Sequence, residues 1–253
     1  MANESIVSIV VPTFNRFNRL QRCREKIQSN VSVSHQVIVV DGGSTDGTRE
    51  WLSRQSDLRL ILESRREGAV RAFNKGFRVA TGRYVMWLND DAFPLPGSVE
   101  AALKMIEQPD CGDVGMVAFY HHWQSERNVL DRVEQHGRTY AMCHVRGYPF
   151  ANFGLLRREL LEHVGYADER FYFFGFDPDL SLRIEIEQGL KVIGCRRALV
   201  HHDEYHDERK VEDLAVGEED NRKLFAKWNL PPPGQYPDPT PGYQRMLKER
   251  GWW

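Results

Sequence analysis

Four short apolar runs, each ending in a polar or glycine-rich turn, fill the first hundred residues of the chain. They cover residues 6–11, 36–40, 58–62 and 84–88, and amphipathic patterns such as 18–28 and 67–80 separate them. Such runs are typical of strands buried on both faces, and their alternation with helices over short connections predicts a parallel sheet with right-handed crossovers. We therefore predict an α/β fold whose ligands bind beyond the carboxyl ends of the strands.

Two adjacent carboxylates follow the fourth run. Asn89, Asp90 and Asp91 end the strand, and Pro94, Pro96 and Gly97 hold the chain in turns after it. Neighbouring carboxylates repel each other unless a cation or a positive ligand group neutralises them. We therefore predict a divalent-metal site for a phosphorylated substrate. The alternative is that one of the two caps a helix that begins near Ser98, although the intervening prolines make such a cap awkward.

A third carboxylate, Asp41, ends the second run inside a glycine-rich turn at residues 41–48. If the strands are neighbours, Asp41 points into the same crevice as Asp90 and Asp91. A carboxylate there can accept the ring N–H of uracil or thymine, and Gly42 and Gly43 allow the backbone to approach a ligand closely. The alternative is that Asp41 stabilises only its own turn.

The alternation of apolar runs and amphipathic segments becomes less regular after residue 97. We predict helices at 98–106, 155–164, 177–188 and 218–228 and strands at 114–120, 191–193 and 198–200, and we leave 121–146 open between a β-ribbon and a mobile loop. The sequence PPPGQYPDPTPG at 231–242 excludes a helix and predicts an extended strap before an amphipathic tail at 243–253. The predicted domains are 1–230, with a nucleotide-binding part over about 1–97 and an acceptor part over about 98–230, and the strap and tail at 231–253.

Composition limits the partners and the compartment. A net charge of −2 over 253 residues gives no polyelectrolyte signal, so we expect no nucleic-acid partner. Four scattered cysteines without a CxxC pair suit a reducing compartment. No apolar run approaches the length of a membrane span, and the first residues lack the order of a signal peptide. We expect a cytoplasmic protein, with peripheral membrane association left open, and the C-terminal tail is a candidate homo-oligomer interface.

Four separated motifs occur in a fixed order: VSIVVPTFNR, VIVVDGGSTDGT, EGAVRAFNKGFRVATGRYVMWLNDDAFPLPG and FGFDPDLSLR. Together they resemble the family 2 glycosyltransferases, which are nucleotide-sugar-dependent enzymes of the GT-A fold. The resemblance covers roughly residues 5–202. It implies a mixed, mostly parallel sheet flanked by helices, a nucleotide-sugar donor and a Mn²⁺ or Mg²⁺ cofactor.

The resemblance also implies site residues. In the donor site they would be Pro12, Thr13 and Asn15 along the nucleotide, Asp41 on the base, Arg71 and Asn74 beside the nucleotide and donor sugar, Asp90 near the ribose or sugar, and Asp91 with His202 on the metal. Arg71 is expected to pair with phosphate. Where the family carries its first acidic residue this chain has Asn89, which offers an uncharged oxygen.

Asp177 is the candidate catalytic base. Family members often carry Glu-Asp, one residue, and Asp-Leu, and this chain has Phe176, Asp177, Pro178, Asp179 and Leu180 in that place. The alternative is that Asp177, placed before a proline, only caps a helix. A helix N-terminus lowers basicity, whereas apolar neighbours such as the phenylalanines at 173, 174 and 176 raise it.

Residues 121–123, His-His-Trp, lie where an acceptor would bind, and the indole of Trp123 is a candidate surface for stacking against a sugar. We predict an inverting enzyme that transfers a sugar from a UDP-sugar or dTDP-sugar to the hydroxyl of a glycan, a lipid-linked sugar or another acceptor. One alternative is a non-catalytic nucleotide-sugar binding module, since Asn89 and Phe176 replace acidic residues. Another is a sugar-phosphate nucleotidyltransferase, which the glycine-poor loop PTFNRFNR disfavours.

Overall fold

The computed structural model describes residues 5–122, 127–203 and 208–253, and for 208–215 the backbone alone. Its strands are β1 (Val7–Thr13), β2 (His35–Asp41), β3 (Leu58–Leu62), β4 (Tyr84–Trp87), β5 (Ala92–Pro94), β6 (Val114–His122), β7 (Val129–Gln135), β8 (Arg138–Val145), β9 (Tyr148–Phe150), β10 (Gly154–Arg157) and β11 (Lys191–His202). Its α-helices are α1 (Phe17–Asn30), α2 (Thr48–Leu52), α3 (Ala69–Val79), α4 (Ser98–Ile106), α5 (Arg158–His163), α6 (Phe176–Leu182), α7 (Glu208–Trp228) and α8 (Thr240–Glu249).

The strands form one mixed sheet in the order β3-β2-β1-β4-β10-β6-β11-β5. β1 to β4 run parallel to one another, as does the pair of β6 and β11, whereas β10 and β5 are antiparallel to their neighbours. The predicted α/β fold with a mixed, mostly parallel sheet is therefore confirmed. Because β1 and β4 are adjacent and parallel, their carboxyl ends open on the same edge of the sheet.

Helix α3 packs closely against β1 because Gly76 has no side chain. A Cβ added at Gly76 would lie 2.2 Å from Val10 Cγ1 on β1, so only glycine permits this approach. The phenylalanines Phe73 and Phe77 on the same helix are buried in the core. The close contact positions the first turn of α3 beside the polar loops that follow β1 and β4.

Two predictions beyond residue 97 are corrected. The segment 155–164, predicted as a helix, begins as β10 between β4 and β6, because a short run buried on both faces carries no period that separates strand from helix. The two short strands predicted at 191–193 and 198–200 are one strand, β11, interrupted by a register shift between Cys195 and Leu199. β5, which follows the two carboxylates, was not predicted.

The region left open at 121–146 contains a β-ribbon. β7 and β8 pair antiparallel through a tight turn in which both His136 (φ 52°) and Gly137 (φ 70°) adopt positive φ. Two successive residues with positive φ are characteristic of the type I′ turn that closes two-residue hairpins. Trp123, which we proposed for acceptor stacking, lies outside the described residues.

The C-terminal segment is more helical than predicted. α8 begins at Thr240, within the supposed strap, and Pro241 occupies its first turn, where a missing N–H costs no hydrogen bond. Tyr243 and Leu247 are buried, and the Tyr243 hydroxyl accepts a 2.8 Å hydrogen bond from the Gly194 amide. The division of the chain at 97 and 230 stays a prediction. Within the described ranges, no helix has the length and apolarity needed to cross a bilayer.

Candidate active site

The two carboxylates predicted to bind metal lie where β4 ends. The Thr13 hydroxyl, at the end of β1, donates a 2.9 Å hydrogen bond to Asp90 Oδ2. β5 pairs with β11 so that Ala92 lies opposite His202, and this register places His202 Nε2 3.3 Å from Asp91 Oδ1. The structure therefore brings Thr13, Asp90, Asp91 and His202 together, as predicted. The alternative that Asp90 or Asp91 caps α4 is wrong, because its N-cap residue is Gly97 and no side chain caps it.

Arg16 lies directly against both carboxylates. Its Nη1 atom is 2.5 Å from Asp91 Oδ2 and 3.2 Å from Asp90 Oδ1, and the side chain is only 4% exposed. We did not predict this residue from the sequence. A signal was present, because Arg16 ends the motif PTFNR and shares its loop with Thr13 and Asn15.

Asp91 is held in its ionised form. Burial alone would raise the pKa of Asp91, but the close contact with His202 and the charge of the Arg16 guanidinium outweigh that effect and lower the pKa to about 2. The carboxylate therefore carries a full negative charge at neutral pH.

Asp91 and His202 fit a divalent cation that also binds the substrate. Asp91 Oδ1 is buried and accepts no hydrogen bond from the described residues, so this oxygen is available to a cation. Two ligand atoms on one octahedral cation with 2.1 Å bonds lie about 3 Å apart, close to the 3.3 Å between Asp91 Oδ1 and His202 Nε2. No group of three or more His, Cys, Asp or Glu side chains in the described ranges is arranged to hold a metal. Phosphate and water oxygens would have to complete the shell, which is usual for Mg²⁺ sites.

A cavity of about 60 Å³ lies in front of this cluster. Its wall includes Pro12, as predicted, and the start of α3 through Gly68 and Ala69. Glu63 and Arg66, which we did not predict, also line it. The N-terminus of α3 adds backbone N–H groups and a positive dipole end, both of which favour phosphate.

A second cavity, of about 430 Å³, contains Asp177. Its wall is rich in aromatic side chains, namely Phe73, Trp87, Phe150, Phe173, Phe174, Phe176 and Phe225. The two cavities share the wall residues Ala69, Phe73, Asn89, Phe173 and His202. The carboxylate cluster and Asp177 therefore open onto adjoining compartments of one cleft.

Asp177 lies in the first turn of α6, but it does not cap the helix. The N-cap residue is Gly175, in a left-handed conformation with φ of 83°, and no side chain makes a capping bond. The alternative that Asp177 only caps a helix is therefore wrong. Burial raises the pKa of Asp177 to about 7, against a small opposing effect of its own backbone amide. A carboxyl group with this pKa is able to take up a proton near neutral pH.

Two other residues that we predicted to contact the nucleotide, Asp41 and Asn15, form hydrogen bonds within the protein. The buried Asp41 carboxylate accepts hydrogen bonds from the amides of Gly43 and Ser44 and a 2.8 Å bond from Arg49 Nε. It is not part of either cavity wall, and the turn-stabilising alternative describes these contacts. Asn15 Oδ1 accepts a 2.7 Å bond from the Thr45 amide, so Asn15 joins the loops after β1 and β2.

The structure does not bring Arg71 or Asn74 to the cleft. Asn74 is buried, and its side-chain amide bonds both the carbonyl and the amide of Ala167 at 2.9 and 3.0 Å. Arg71 is 53% exposed and lies 3.8 Å from Glu169. Asn74 therefore links α3 to the segment before α6, and neither side chain lines the wall of the smaller or the larger cavity.

The remaining histidines of the region divide between two environments. His121 lines the larger cavity, and burial lowers its pKa to about 3, so its imidazole is neutral. His201 makes a 2.7 Å contact with Asp203 and stacks on His122 at 6.1 Å between ring centroids. Successive side chains of a strand point to opposite faces, and His202, the next residue of β11, is the histidine that faces the carboxylates. His206 lies outside the described residues.

Solved structures define the class of this fold. The chain superposes on the mannosyltransferase PcManGT from Pyrobaculum calidifontis, in complex with GDP-Man and Mn²⁺, with a TM-score of 0.65 at 20% identity, over 99% of this chain and 70% of that one. It also superposes on GalNAc-T7 with UDP, GalNAc and Mn²⁺, with a TM-score of 0.63 at 12% identity, over 100% of this chain and 55% of that one. The fold is that of the GT-A glycosyltransferases.

Sequence comparison gives the family. The profile of Glycosyl transferase family 2 matches residues 8–165, and the chain belongs to this family, as its motifs predicted. It is 25% identical to the uncharacterized glycosyltransferase YwdF of Bacillus subtilis, over 96% of this chain and 90% of YwdF. It is 28% identical to the glycosyltransferase GlyG of Streptococcus pneumoniae over 49% of this chain, and the match spans only 42% of GlyG.

Proposed function

We propose that this protein transfers a sugar from a nucleoside-diphosphate sugar to an acceptor hydroxyl, with inversion at the anomeric carbon. UDP is the expected nucleotide, as the family resemblance implies, with dTDP next. The observation that carries the proposal is the pairing, within one cleft, of an ionised carboxylate cluster with a carboxyl of raised pKa. The first suits a diphosphate with its counter-ion, and the second suits a proton acceptor.

The donor is proposed to bind with its diphosphate at the smaller cavity. Asp91 and His202 would hold Mn²⁺ or Mg²⁺, which supplies positive charge to the phosphate oxygens of the leaving nucleoside diphosphate. Both solved structures described above contain Mn²⁺, which supports this assignment. The first turn of α3 adds backbone donors on the same side. The donor sugar then extends toward the larger cavity through the shared wall.

Asp177 is proposed to act as the general base. It takes the proton of the acceptor hydroxyl while the acceptor oxygen forms a bond to the anomeric carbon. The bond from that carbon to the diphosphate oxygen breaks, and the nucleoside diphosphate leaves with the electron pair. The aromatic wall keeps water from the carboxyl group, which explains why its pKa lies near 7. An attack from the face opposite the leaving group gives inversion.

The larger cavity favours a neutral hydroxyl acceptor. Its described wall residues offer aromatic rings, imidazoles and the amides of Asn128, Asn152 and Asn221, and include no Lys or Arg. A phosphate nucleophile is already ionised and needs no base, whereas a hydroxyl does. We therefore place a glycan or another uncharged alcohol end in this cavity.

Hydrolysis of nucleotide sugars tests the function without knowledge of the acceptor. UDP-glucose, UDP-galactose, dTDP-glucose and GDP-mannose are incubated with the protein in Mn²⁺ and in EDTA, and the released nucleoside diphosphate is measured. We expect slow release from at least one donor that depends on Mn²⁺, and an increase in Tm with the same nucleotide. A protein that neither hydrolyses nor is stabilised by any of these donors would contradict the proposal.

A further inference from the structure

Arg16 occupies a position where a bound cation would be expected. One guanidinium nitrogen contacts both Asp90 and Asp91, at 3.2 and 2.5 Å, and the side chain is almost fully buried. Two adjacent buried carboxylates without a positive charge would be strongly destabilising. In this structure Arg16 supplies that charge, with the Thr13 hydroxyl as an additional donor to Asp90.

The same contact restricts access to the proposed metal ligand. Arg16 holds Asp91 Oδ2, and the other oxygen, Oδ1, faces His202 at 3.3 Å. The cavity in front of them measures about 60 Å³, and Arg16 forms part of its wall. A cation that binds Asp91 at this cavity therefore has to compete with the Arg16 guanidinium for the same carboxylate.

We propose that Arg16 is an internal counter-ion that exchanges with the divalent cation. In the free protein its guanidinium neutralises Asp90 and Asp91. When cation and donor bind, the guanidinium leaves Asp91 and pairs with a phosphate oxygen of the donor, a bidentate partner that arginine suits well. The phosphate contact rests on the proposed function, whereas the competition between Arg16 and the cation does not.

Exchange of this kind makes cation and nucleotide binding cooperative. Without nucleotide, a cation must displace Arg16 from Asp91, and the guanidinium loses this ion pair without gaining another. With nucleotide present, the displaced guanidinium gains a phosphate. The wild-type protein is therefore expected to bind Mn²⁺ weakly alone and about tenfold or more tightly with the nucleoside diphosphate, a coupling of ordinary size for two linked sites.

Mn²⁺ binding in the absence of nucleotide tests the competition directly. Free Mn²⁺ is measured by electron paramagnetic resonance during titration of wild type, Arg16→Gln and Arg24→Gln. Arg24 lies on α1 and pairs with Asp57 at 2.8 Å, so it is a matched control for the loss of one guanidinium. We expect Arg16→Gln to bind Mn²⁺ about tenfold more tightly than wild type, and Arg24→Gln to match wild type. Equal or weaker binding by Arg16→Gln would overturn the proposal.

The Arg16→Lys variant and thermal unfolding show whether a change in Mn²⁺ affinity results from a folding defect. Arg16→Gln leaves two carboxylates without their counter-ion, so its Tm in EDTA should fall and Mn²⁺ should raise it by more than in wild type. Arg16→Lys keeps the charge but not the planar fork, and its Mn²⁺ affinity should lie between the other two. An Arg16→Lys protein that folds and binds Mn²⁺ no more tightly than wild type would contradict the exchange. If UDP and GDP stabilise none of the proteins, the proposed function fails while the nucleotide-free titration still decides the role of Arg16.

Discussion

Asp91 and Asp177 open onto the same cleft, yet their environments drive their proton affinities in opposite directions. Asp91 is surrounded by polar and cationic groups, His202 and Arg16, which lower its pKa to about 2 despite burial. Asp177 lies among aromatic rings and forms no ion pair with a described residue, and burial raises its pKa to about 7. Opposite environments for two carboxyl groups in one site usually separate an electrostatic role from an acid–base role.

The difference follows from the elements that carry the two residues. Asp91 follows a central parallel strand, where the loops after β1 and β4 and the end of β11 bring polar side chains together. Asp177 follows the left-handed Gly175 at the start of α6, where Phe173, Phe174 and Phe176 surround it. In this cleft the strand ends therefore provide charge compensation, whereas the aromatic segment before α6 removes solvent.

Substitution of the proposed base, Asp177, should cause the greatest loss of activity. Asp177→Asn keeps the shape of the side chain but cannot accept the proton. We expect donor hydrolysis to fall by about 10³-fold, within the usual range for general base catalysis, while nucleotide affinity stays within a factor of two or so. Both are measured, by product release and by calorimetric titration with UDP and Mn²⁺.

Glu185 provides the matched control for Asp177. It follows α6 and is also a carboxyl group whose pKa burial raises to about 7, but it lies outside both cavity walls. Glu185→Gln should therefore hydrolyse the donor at nearly the wild-type rate. If Asp177→Asn keeps full activity, or if Glu185→Gln loses as much, the assignment of the base is wrong.

Substitution of the ionised carboxylate Asp91, or of the neighbouring His202, should weaken metal-dependent nucleotide binding. Asp91→Asn removes the charge that would hold the cation, and His202→Ala removes its neighbour. We expect nucleotide affinity in Mn²⁺ to fall about 10- to 100-fold for either variant, with little change in EDTA. Equal losses in Mn²⁺ and EDTA would show that these residues act only on the fold.

The pH dependence of hydrolysis should report the group with the raised pKa. Asp177 accepts a proton only when it is ionised, so the rate should fall about tenfold per unit below pH 7 and level off above it. The Glu185→Gln variant should show the same profile. A rate that is flat between pH 5 and 7 would remove Asp177 from the rate-determining proton transfer.

The smallest expected effect is on stability, and its sign is opposite to the effect on activity. In the unfolded chain an Asp carboxyl titrates near pH 4, whereas in the folded protein Asp177 titrates near 7. The folded state binds the proton more tightly, so wild-type stability falls as the pH rises from about 4 to about 7. The stability of Asp177→Asn does not fall in this way, because Asn has no proton to lose. At pH 8 this variant should therefore be more stable than the wild type by at least about 1 kcal/mol. Urea unfolding at pH 4 and 8 measures the difference, and a destabilised variant at pH 8 would contradict it.

The sequence predicts the parallel half of the fold and much of the site. β1 to β4 are near-continuous apolar runs followed by turns, so local pattern was sufficient for the sheet and for Asp90 and Asp91 at its edge. β5 has only three residues and β10 only four, and both exist through antiparallel pairing with distant strands. Short segments of this kind carry no period, so their placement could not be predicted.

Side-chain partners were harder to predict than positions. Arg16 was missed because its contacts with Asp90 and Asp91 depend on how the loop after β1 turns back over β4. Asn74 was predicted beside the donor, but its amide is used to hold the loop at Ala167. The packed structure determines which polar groups form hydrogen bonds with one another, and the spacing of residues along the chain does not reveal these pairs.

We propose that, of the two carboxyl groups Asp91 and Asp177, Asp177 is the one that exchanges a proton near neutral pH. Carbon-13 NMR of the Asp side-chain carboxyl groups, recorded between pH 4 and 9 with Asp177→Asn to assign the signal, measures this directly. In the wild type we expect a carboxyl resonance that titrates near pH 7, and we expect this resonance to be absent from the spectrum of Asp177→Asn. A resonance that is already that of an ionised carboxylate at pH 5 would contradict it.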